Sequence, residues 1–150
     1  MRGARIPCDT IRMRQTFDLE RKGSQDLSTT GGFLVAMRMV LSTVESGLLW
    51  GGVPCNAYGW MSSSSHGRTE TRPMGYTDVD FVVMSNILSL RFALLAAVAL
   101  ARRVHFCVEN PARSAIAHQP HLRFLAAFLT CATLGPRTAQ LKIGPHKSAF

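Results

Sequence analysis

The chain has 150 residues, of which 47% are hydrophobic and 17% charged, and its formal net charge is +8. This length suits one compact domain, and the composition excludes a largely disordered chain. Most of the positive excess lies in residues 111–150, which carry five basic residues and no acid. Such a segment can contact phosphate or simply keep the chain soluble, and no aromatic-basic stripe accompanies it.

The four cysteines are widely spaced, at Cys8, Cys55, Cys107 and Cys131. They form no CxxC pair, which excludes the usual zinc patterns and a small disulfide scaffold. Residues 1–20 lack the apolar core of a secretory signal, and their acids disfavour a transit peptide. We therefore expect reduced thiols and an intracellular location, in the cytoplasm or the nucleus.

The first predicted helix is capped by Ser28 or Thr30 and stops before Gly47. Its apolar face recurs at helical spacing, through Phe33, Met37, Val40, Leu41 and Val44. Residues 48–53 then form a short apolar run that ends at Pro54, which predicts an interior strand. A long loop is predicted over 54–77, and its "SSSSHG" stretch (62–67) is typical of a flexible segment.

A second helix is predicted over 80–103, with acids near its start and Arg102-Arg103 at its end, as the helix dipole favours. Its apolar run, 92–101, has ten residues, about half of what a bilayer requires, so a buried helix is expected and no membrane. A strand over 104–109 follows, stopped by Asn110-Pro111, and then a helix over about 120–130.

The alternation of helices and strands predicts parallel strands and an α/β fold. Ligands of such folds bind beyond the carboxyl ends of the strands. Two loops are expected at that edge, residues 54–56 and 109–111. The sequence therefore predicts that the Pro-Cys-Asn and Glu-Asn-Pro triplets lie close together.

These residues resemble a known enzyme family. A strand ending in Pro-Cys, a crossover helix and a strand ending in Glu-Asn resemble the catalytic core of the S-adenosylmethionine-dependent cytosine-5 DNA methyltransferases. Upstream, "FDLE" (17–20) resembles the acidic strand end of the cofactor site, and "QDLS" (25–28) resembles its next loop. The pattern "GVPC…HGR…N…ENPARS", with its helix asparagine at Asn86, is also similar to a group of methyltransferase-like proteins of unassigned activity, which is the closer resemblance.

The larger family implies a catalytic role for two residues. Cys55, as a thiolate, would add to C6 of cytosine and make C5 nucleophilic toward a methyl sulfonium. Glu109 would hydrogen-bond to the ring nitrogen and stabilise the adduct. DNA is then the expected partner, with the target base flipped out of the duplex.

The resemblance also implies binding roles. Asp18 or Glu20 would take the ribose hydroxyls of S-adenosylmethionine, and Asp26 would lie on the adenine side. Asn56, Asn110 and Arg113 would face the substrate, with Arg113 offering positive charge to phosphate. No metal is expected.

The chain departs from the family's pattern at several points. The glycine-rich turn that should precede the acidic strand is missing, Asn56 stands where glutamine is usual, and no later arginine motif or target-recognition domain follows residue 113. The expected fold is therefore a partial, three-layer, Rossmann-like methyltransferase sheet truncated at both ends. Its parts would be an irregular segment (1–16), the domain (17–130) and a basic, flexible tail (131–150). A degenerate enzyme or a fragment is expected.

Each candidate residue also has a structural interpretation. Cys55 can be a buried or incidental thiol, and Glu109 can make a structural hydrogen bond, for example to a helix N-terminus. Cys107 is expected in the core, Trp50 is expected to pack around its strand, and the role of Trp60 is open. The alternative function is a non-catalytic module that binds nucleic acid or another protein through the basic C-terminal segment.

Two other constellations lack the spacing that their chemistry requires. His118 and His121 flank Gln119-Pro120 and match no common structural zinc site. His66 beside four serines is not accompanied by the Gly-x-Ser-x-Gly turn of the serine hydrolases. The sequence therefore favours neither a metal site nor a hydrolase.

Overall fold

The computed structural model describes residues 25–111 and 113–132. In chain order, the helices and strands are α1 (Thr30–Ser42), β1 (Leu48–Gly52), α2 (Ser63–His66), α3 (Asp80–Ala101), β2 (His105–Glu109) and α4 (Pro120–Ala132). Short 3₁₀ helices cover Cys55–Ala57, Trp60–Ser62 and Ala115–His118. The predicted order of the main helices and strands is confirmed.

The two strands pair in parallel, as predicted, and form a two-stranded sheet. Their register places Leu48 opposite His105 and Gly52 opposite Glu109, so both strands end at the same edge. An α/β architecture with a parallel sheet is therefore established. The three-layer, Rossmann-like arrangement stays a prediction, because it requires more strands than these two.

Helix α1 begins with a side-chain cap at Thr29, between the two residues that the sequence favours. The Thr29 hydroxyl oxygen accepts a hydrogen bond from the Gly32 amide at 3.0 Å, which satisfies one of the unpaired amides of the first turn. The buried face of α1 consists of Gly32, Ala36 and Val40. Leu41 and Val44, predicted on the apolar face, are exposed, because Leu41 faces away from α3 and α1 ends before Val44.

Helix α3 is the centre of the molecule, because it packs against α1, α4 and both strands. Its Phe92 and Ala96 join a core cluster with Val53, Tyr58 and Ile116. On another side, its Leu95 and Ala99 join a second cluster that includes residues of α1. The prediction of a buried helix over the apolar run 92–101 is thus confirmed for its inward faces.

Helix α3 is also the one helix of the described residues that is long and apolar enough to cross a membrane. It has 22 residues, its most apolar 18-residue stretch has a mean hydropathy of 2.0, and 44% of that stretch is buried inside the protein. The core helix of a folded domain meets the same criteria, so this feature alone is weak evidence for a membrane span.

The sheet has one covered face and one open face. Exposed and half-buried residues alternate along β1, and Trp50 is 54% exposed. The expectations of an interior strand and of a Trp50 packed around it are therefore wrong, because no described residue covers that face. Cys107, expected in the core, is half-buried opposite Trp50.

Candidate functional site

The loops after β1 and β2 meet at the carboxyl edge of the sheet, as predicted. The Asn110 side-chain amide donates a hydrogen bond to the Val53 carbonyl at 2.9 Å. The Ala115 amide donates to the Tyr58 carbonyl at 2.9 Å, which forms a second connection. These two hydrogen bonds hold the Pro-Cys loop and the Glu-Asn-Pro loop against each other.

Cys55 lies at the start of a 3₁₀ helix, immediately after Pro54, and is exposed with a free thiol. The interpretation of Cys55 as a buried thiol is therefore wrong. The cysteine projects from a turn that is closed by the Tyr58 and Gly59 amides, both of which donate to the Cys55 carbonyl. The geometry gives a thiol that solvent and ligands can reach on a backbone with internal hydrogen bonds.

Glu109 ends β2 opposite Gly52 and is also exposed. Its Oε2 atom lies over the backbone of Gly52, 3.8 Å from where a Cβ atom of that glycine would be. The carboxylate makes no hydrogen bond or ion pair with the described residues. Within residues 25–111 and 113–132, Glu109 therefore has no structural hydrogen bond.

The three residues predicted to face the substrate differ in whether their side chains already have hydrogen-bond partners. Asn110 uses its side chain to brace the loop, because its Oδ1 atom also accepts a hydrogen bond from the Ser114 hydroxyl. Asn56 is exposed, and only its backbone carbonyl is engaged, by the Ser62 hydroxyl. Arg113 is exposed and adopts a left-handed backbone, φ 67°, within a turn closed by the Ser114 amide on the Pro111 carbonyl. Such a backbone is strained for a residue with a Cβ atom.

Of the predicted cofactor residues, Asp26 is described, and Asp18 and Glu20 lie outside the described residues. Asp26 precedes α1, and its Oδ1 atom accepts a hydrogen bond from the Ser28 amide at 2.8 Å. Hydrogen bonds from Ser28 lower the pKa of the Asp26 carboxyl, so it is charged at neutral pH.

A buried arginine connects the Cys55 loop to α3. Arg68 is only 4% exposed, and its Nε atom donates to the Ala57 carbonyl at 2.6 Å. Its Nη1 atom donates to the Pro73 carbonyl and to Asn86 Oδ1, both at 2.7 Å, and its Nη2 atom donates to the Val82 carbonyl at 3.2 Å.

No carboxylate is among these partners, and burial lowers the pKa of Arg68 below its ordinary value. The guanidinium nevertheless stays protonated, because its ordinary pKa is far above neutrality.

His66 and Tyr58 complete this buried cluster. The His66 Nδ1 atom accepts a hydrogen bond from the Arg68 amide at 3.0 Å, so Nε2 carries the proton and donates to the Gly59 carbonyl at 2.9 Å. The Tyr58 hydroxyl donates to the Ser85 carbonyl at 2.8 Å, and the Arg68 guanidinium lies 4.3 Å from the centre of the Tyr58 ring. Residues 62–67 are therefore ordered around His66, and the prediction of a flexible stretch there is wrong.

Two further polar residues join the cluster, Gln119 immediately before α4 and His121 in the first turn of α4. Gln119 is buried and donates from Nε2 to the Pro73 carbonyl at 2.6 Å. The His121 Nε2 atom lies 2.9 Å from the Ser89 hydroxyl. Burial lowers the pKa of His121, and the nearby Arg68 charge lowers it further. His121 is therefore neutral at pH 7.

Most residues of this buried cluster had no predicted role. The signal that could have found it is the pattern "HGR…N", because His66, Arg68 and Asn86 are the residues that the structure joins. Tyr58, Gln119 and His121 carry no comparable signal, since their partners lie far away in sequence. Within the described ranges, no group of three or more metal-ligating side chains could hold a metal ion.

Comparison with known proteins does not assign this site. No protein-family model, curated protein or solved structure matches the chain. The chemistry proposed for the site therefore rests on its own residues and on the resemblance that they carry.

Proposed function

We propose that this chain is a methyltransferase-like domain that acts on cytosine in DNA, with Cys55 as its nucleophile. The observation that carries the proposal is the hydrogen bond from Asn110 to the Val53 carbonyl, which joins the Cys55 and Glu109 loops at one edge of a parallel sheet. Both reactive groups are exposed there, in a position where α/β folds bind ligands.

The chemistry assigns a separate task to each residue. The Cys55 thiolate forms a bond to C6 of the flipped base, and the electrons of the C5–C6 double bond move toward C5. Glu109 hydrogen-bonds to the ring nitrogen and stabilises the charge that this addition creates. S-adenosylmethionine, when bound, supplies the electrophilic methyl group, and loss of the C5 proton then expels the thiolate. Arg113 and Asn56 are available to hold the substrate.

The proposal includes a sheet larger than the two described strands. Parallel sheets are normally covered on both faces, whereas Leu48 and Trp50 are exposed on one face of β1. Further strands and a covering layer, as in a Rossmann-like methyltransferase, would account for this exposed apolar surface.

A second candidate is a non-catalytic module that binds nucleic acid through the basic segment. It is favoured by Arg113 and Arg123, which are exposed and form no ion pair in the described part of the chain. This candidate requires binding that is steeply salt-dependent and indifferent to sequence, and that persists when Cys55 is changed to alanine.

Calorimetric titration with S-adenosylmethionine tests the first proposal. We expect saturable one-to-one binding to the full chain, weakened in the double variant Asp18→Ala/Glu20→Ala. Circular dichroism of each protein shows that it is folded before titration. If a folded chain gave no binding heat with millimolar S-adenosylmethionine, Cys55 would have no methyl donor. That result would favour the binding module.

A further inference from the structure

A depression of about 430 Å³ lies in the segment that follows the Cys55 loop along the chain and has a lining of hydrogen-bond donors. Its volume falls in the range of small-molecule sites. The side chains that line it are those of Ser63, Arg68, Thr69, Thr71, Arg72 and Tyr76. We propose that this depression binds a phosphate oxyanion and that, in the working protein, the oxyanion is a phosphodiester of the nucleic-acid substrate.

The depression is positively charged. Arg68 carries a buried positive charge whose partners are three carbonyls and an amide oxygen, none of which neutralises it. Arg72 adds a second, exposed positive charge on the rim. Glu70, the acid of the same loop, does not line the depression and forms no ion pair in the described residues. A site with two cations and no lining acid attracts an anion.

The depression also has hydrogen-bond donors that are free to bind a ligand. A guanidinium has five N–H groups, and Arg68 uses four of them inside the protein, so one Nη2 hydrogen remains. The Thr69 and Thr71 hydroxyls lie 3.1 Å apart, and one hydroxyl hydrogen suffices for the bond between them. The other hydroxyl hydrogen can donate to a ligand. An oxyanion with several acceptor oxygens matches this set of donors.

The loop that forms the rim of the depression is held by its own hydrogen bonds. The Thr69 amide donates to the Arg72 carbonyl at 3.2 Å, and the Arg72 amide donates to the Thr69 hydroxyl at 2.9 Å, which closes the loop on itself. The Arg72 guanidinium lies 5.9 Å from the centre of the Tyr76 ring, within the range of a cation–π contact. Arg72 is therefore held near the depression before any ligand arrives.

The position of the depression suggests the source of the phosphate. Arg68 donates to the carbonyl of Ala57, two residues after Cys55, so the depression and the thiol belong to one rigid loop. A base that reaches Cys55 brings its flanking phosphates to this surface. The choice of a nucleic-acid phosphodiester rests on the proposed function, whereas the oxyanion chemistry does not.

The test is fluorescence anisotropy of a labelled, cytosine-containing single-stranded oligonucleotide at NaCl concentrations from 50 to 200 mM. Arg72→Gln should weaken binding about five- to tenfold and lower the slope of log affinity against log salt by about 0.7. Arg102→Gln is the matched control, because it removes an exposed charge just after α3, beside the start of β2 and so at the opposite end of the sheet. It should change affinity by less than about twofold.

Equal effects of the two substitutions would overturn the inference. Titration with inorganic phosphate separates the possible sources: a chain that binds inorganic phosphate through Arg72 but not the oligonucleotide overturns the nucleic-acid assignment. A chain that binds neither overturns the site itself. Arg72-dependent binding in a chain that never reacts at Cys55 would overturn the catalytic proposal and support this one.

Discussion

Arg68 holds the Cys55 loop against α3 through its buried side-chain hydrogen bonds. Its side chain satisfies the carbonyls of Ala57, Pro73 and Val82, which belong to the loop and to the start of α3. Because buried carbonyls without a donor lose their hydration and gain no partner, the arginine contributes mainly by preventing that loss. Its place in the structure is therefore that of a positioning residue for the thiol.

Replacement of Arg68 by methionine should destabilise the protein by about 3 kcal/mol, because the Ala57 carbonyl and the Asn86 side-chain oxygen lose their donor. Urea unfolding followed by circular dichroism measures the change. Arg72→Met is the matched control, since the same substitution on an exposed neighbour should stay within about 0.5 kcal/mol. Equal midpoints for the two variants would show that the buried contacts do not stabilise the fold.

His121 should make stability depend on pH. Its pKa is lowered in the folded protein, by burial first and by the Arg68 charge second, so the unfolded chain binds the proton more tightly. The stability that depends on neutral His121 is fully present above the ordinary pKa of 6.5, and it declines as pH falls below that value. His121→Gln should therefore flatten the decline in stability between pH 7.5 and pH 5.

Urea midpoints at the two pH values measure this effect. His105→Gln is the control, because it makes the same substitution at an exposed histidine of β2. If His121→Gln kept the full wild-type decline, the titrating group would lie elsewhere.

At the scale of elements, the contact between β1 and α3 depends on a glycine. A Cβ atom on Gly51 would lie 2.0 Å from Cε2 of the Phe92 ring, which is far inside contact distance. Only glycine lets the strand approach the helix this closely. The strand in turn positions the loop that carries Cys55.

Gly51→Ala should destabilise the protein by about 1–3 kcal/mol, because the Phe92 ring has to move within a packed core. Gly52→Ala tests the specificity of the effect, since its new Cβ atom would lie an ordinary 3.8 Å from Glu109 Oε2. Thermal unfolding of the two alanine variants compares neighbouring residues of one strand. Similar losses in both would mean that strand propensity, and not the Phe92 contact, is responsible.

The elements themselves were largely predictable from the sequence. Apolar periodicity and the breaks at Gly47, Pro54 and Pro111 predicted α1, β1, α3, β2 and their parallel pairing. The folded conformation of residues 55–76 was not predictable from the sequence, because the polar side chains of this segment have partners far along the chain. Tyr58, for example, hydrogen-bonds to Ser85 and Ser89. The exposure of Trp50 was missed for a related reason, since an apolar strand does not reveal whether both of its faces are covered.

At the scale of the whole molecule, α3 organises two core clusters and the polar cluster around Arg68. The loops at the carboxyl edge of the sheet then bring Cys55 and Glu109 together, and Arg68 connects the Cys55 loop to the donor-lined depression. The sequence predicted the meeting of the two loops, because parallel strands end at a common edge. It could not predict the depression, whose arginines are brought together by the fold of the intervening loop.

The central claim is that Cys55 attacks cytosine, and intact-protein mass spectrometry tests it most directly. The full chain would be incubated with S-adenosylmethionine and an oligonucleotide carrying 5-fluorocytosine, which traps the adduct because the C5 fluorine cannot leave as a proton does. We predict a mass increase of one methylated oligonucleotide, present in Cys107→Ala and absent in Cys55→Ala. An adduct that persists in Cys55→Ala, or no adduct in a folded chain that binds both ligands, would contradict the account.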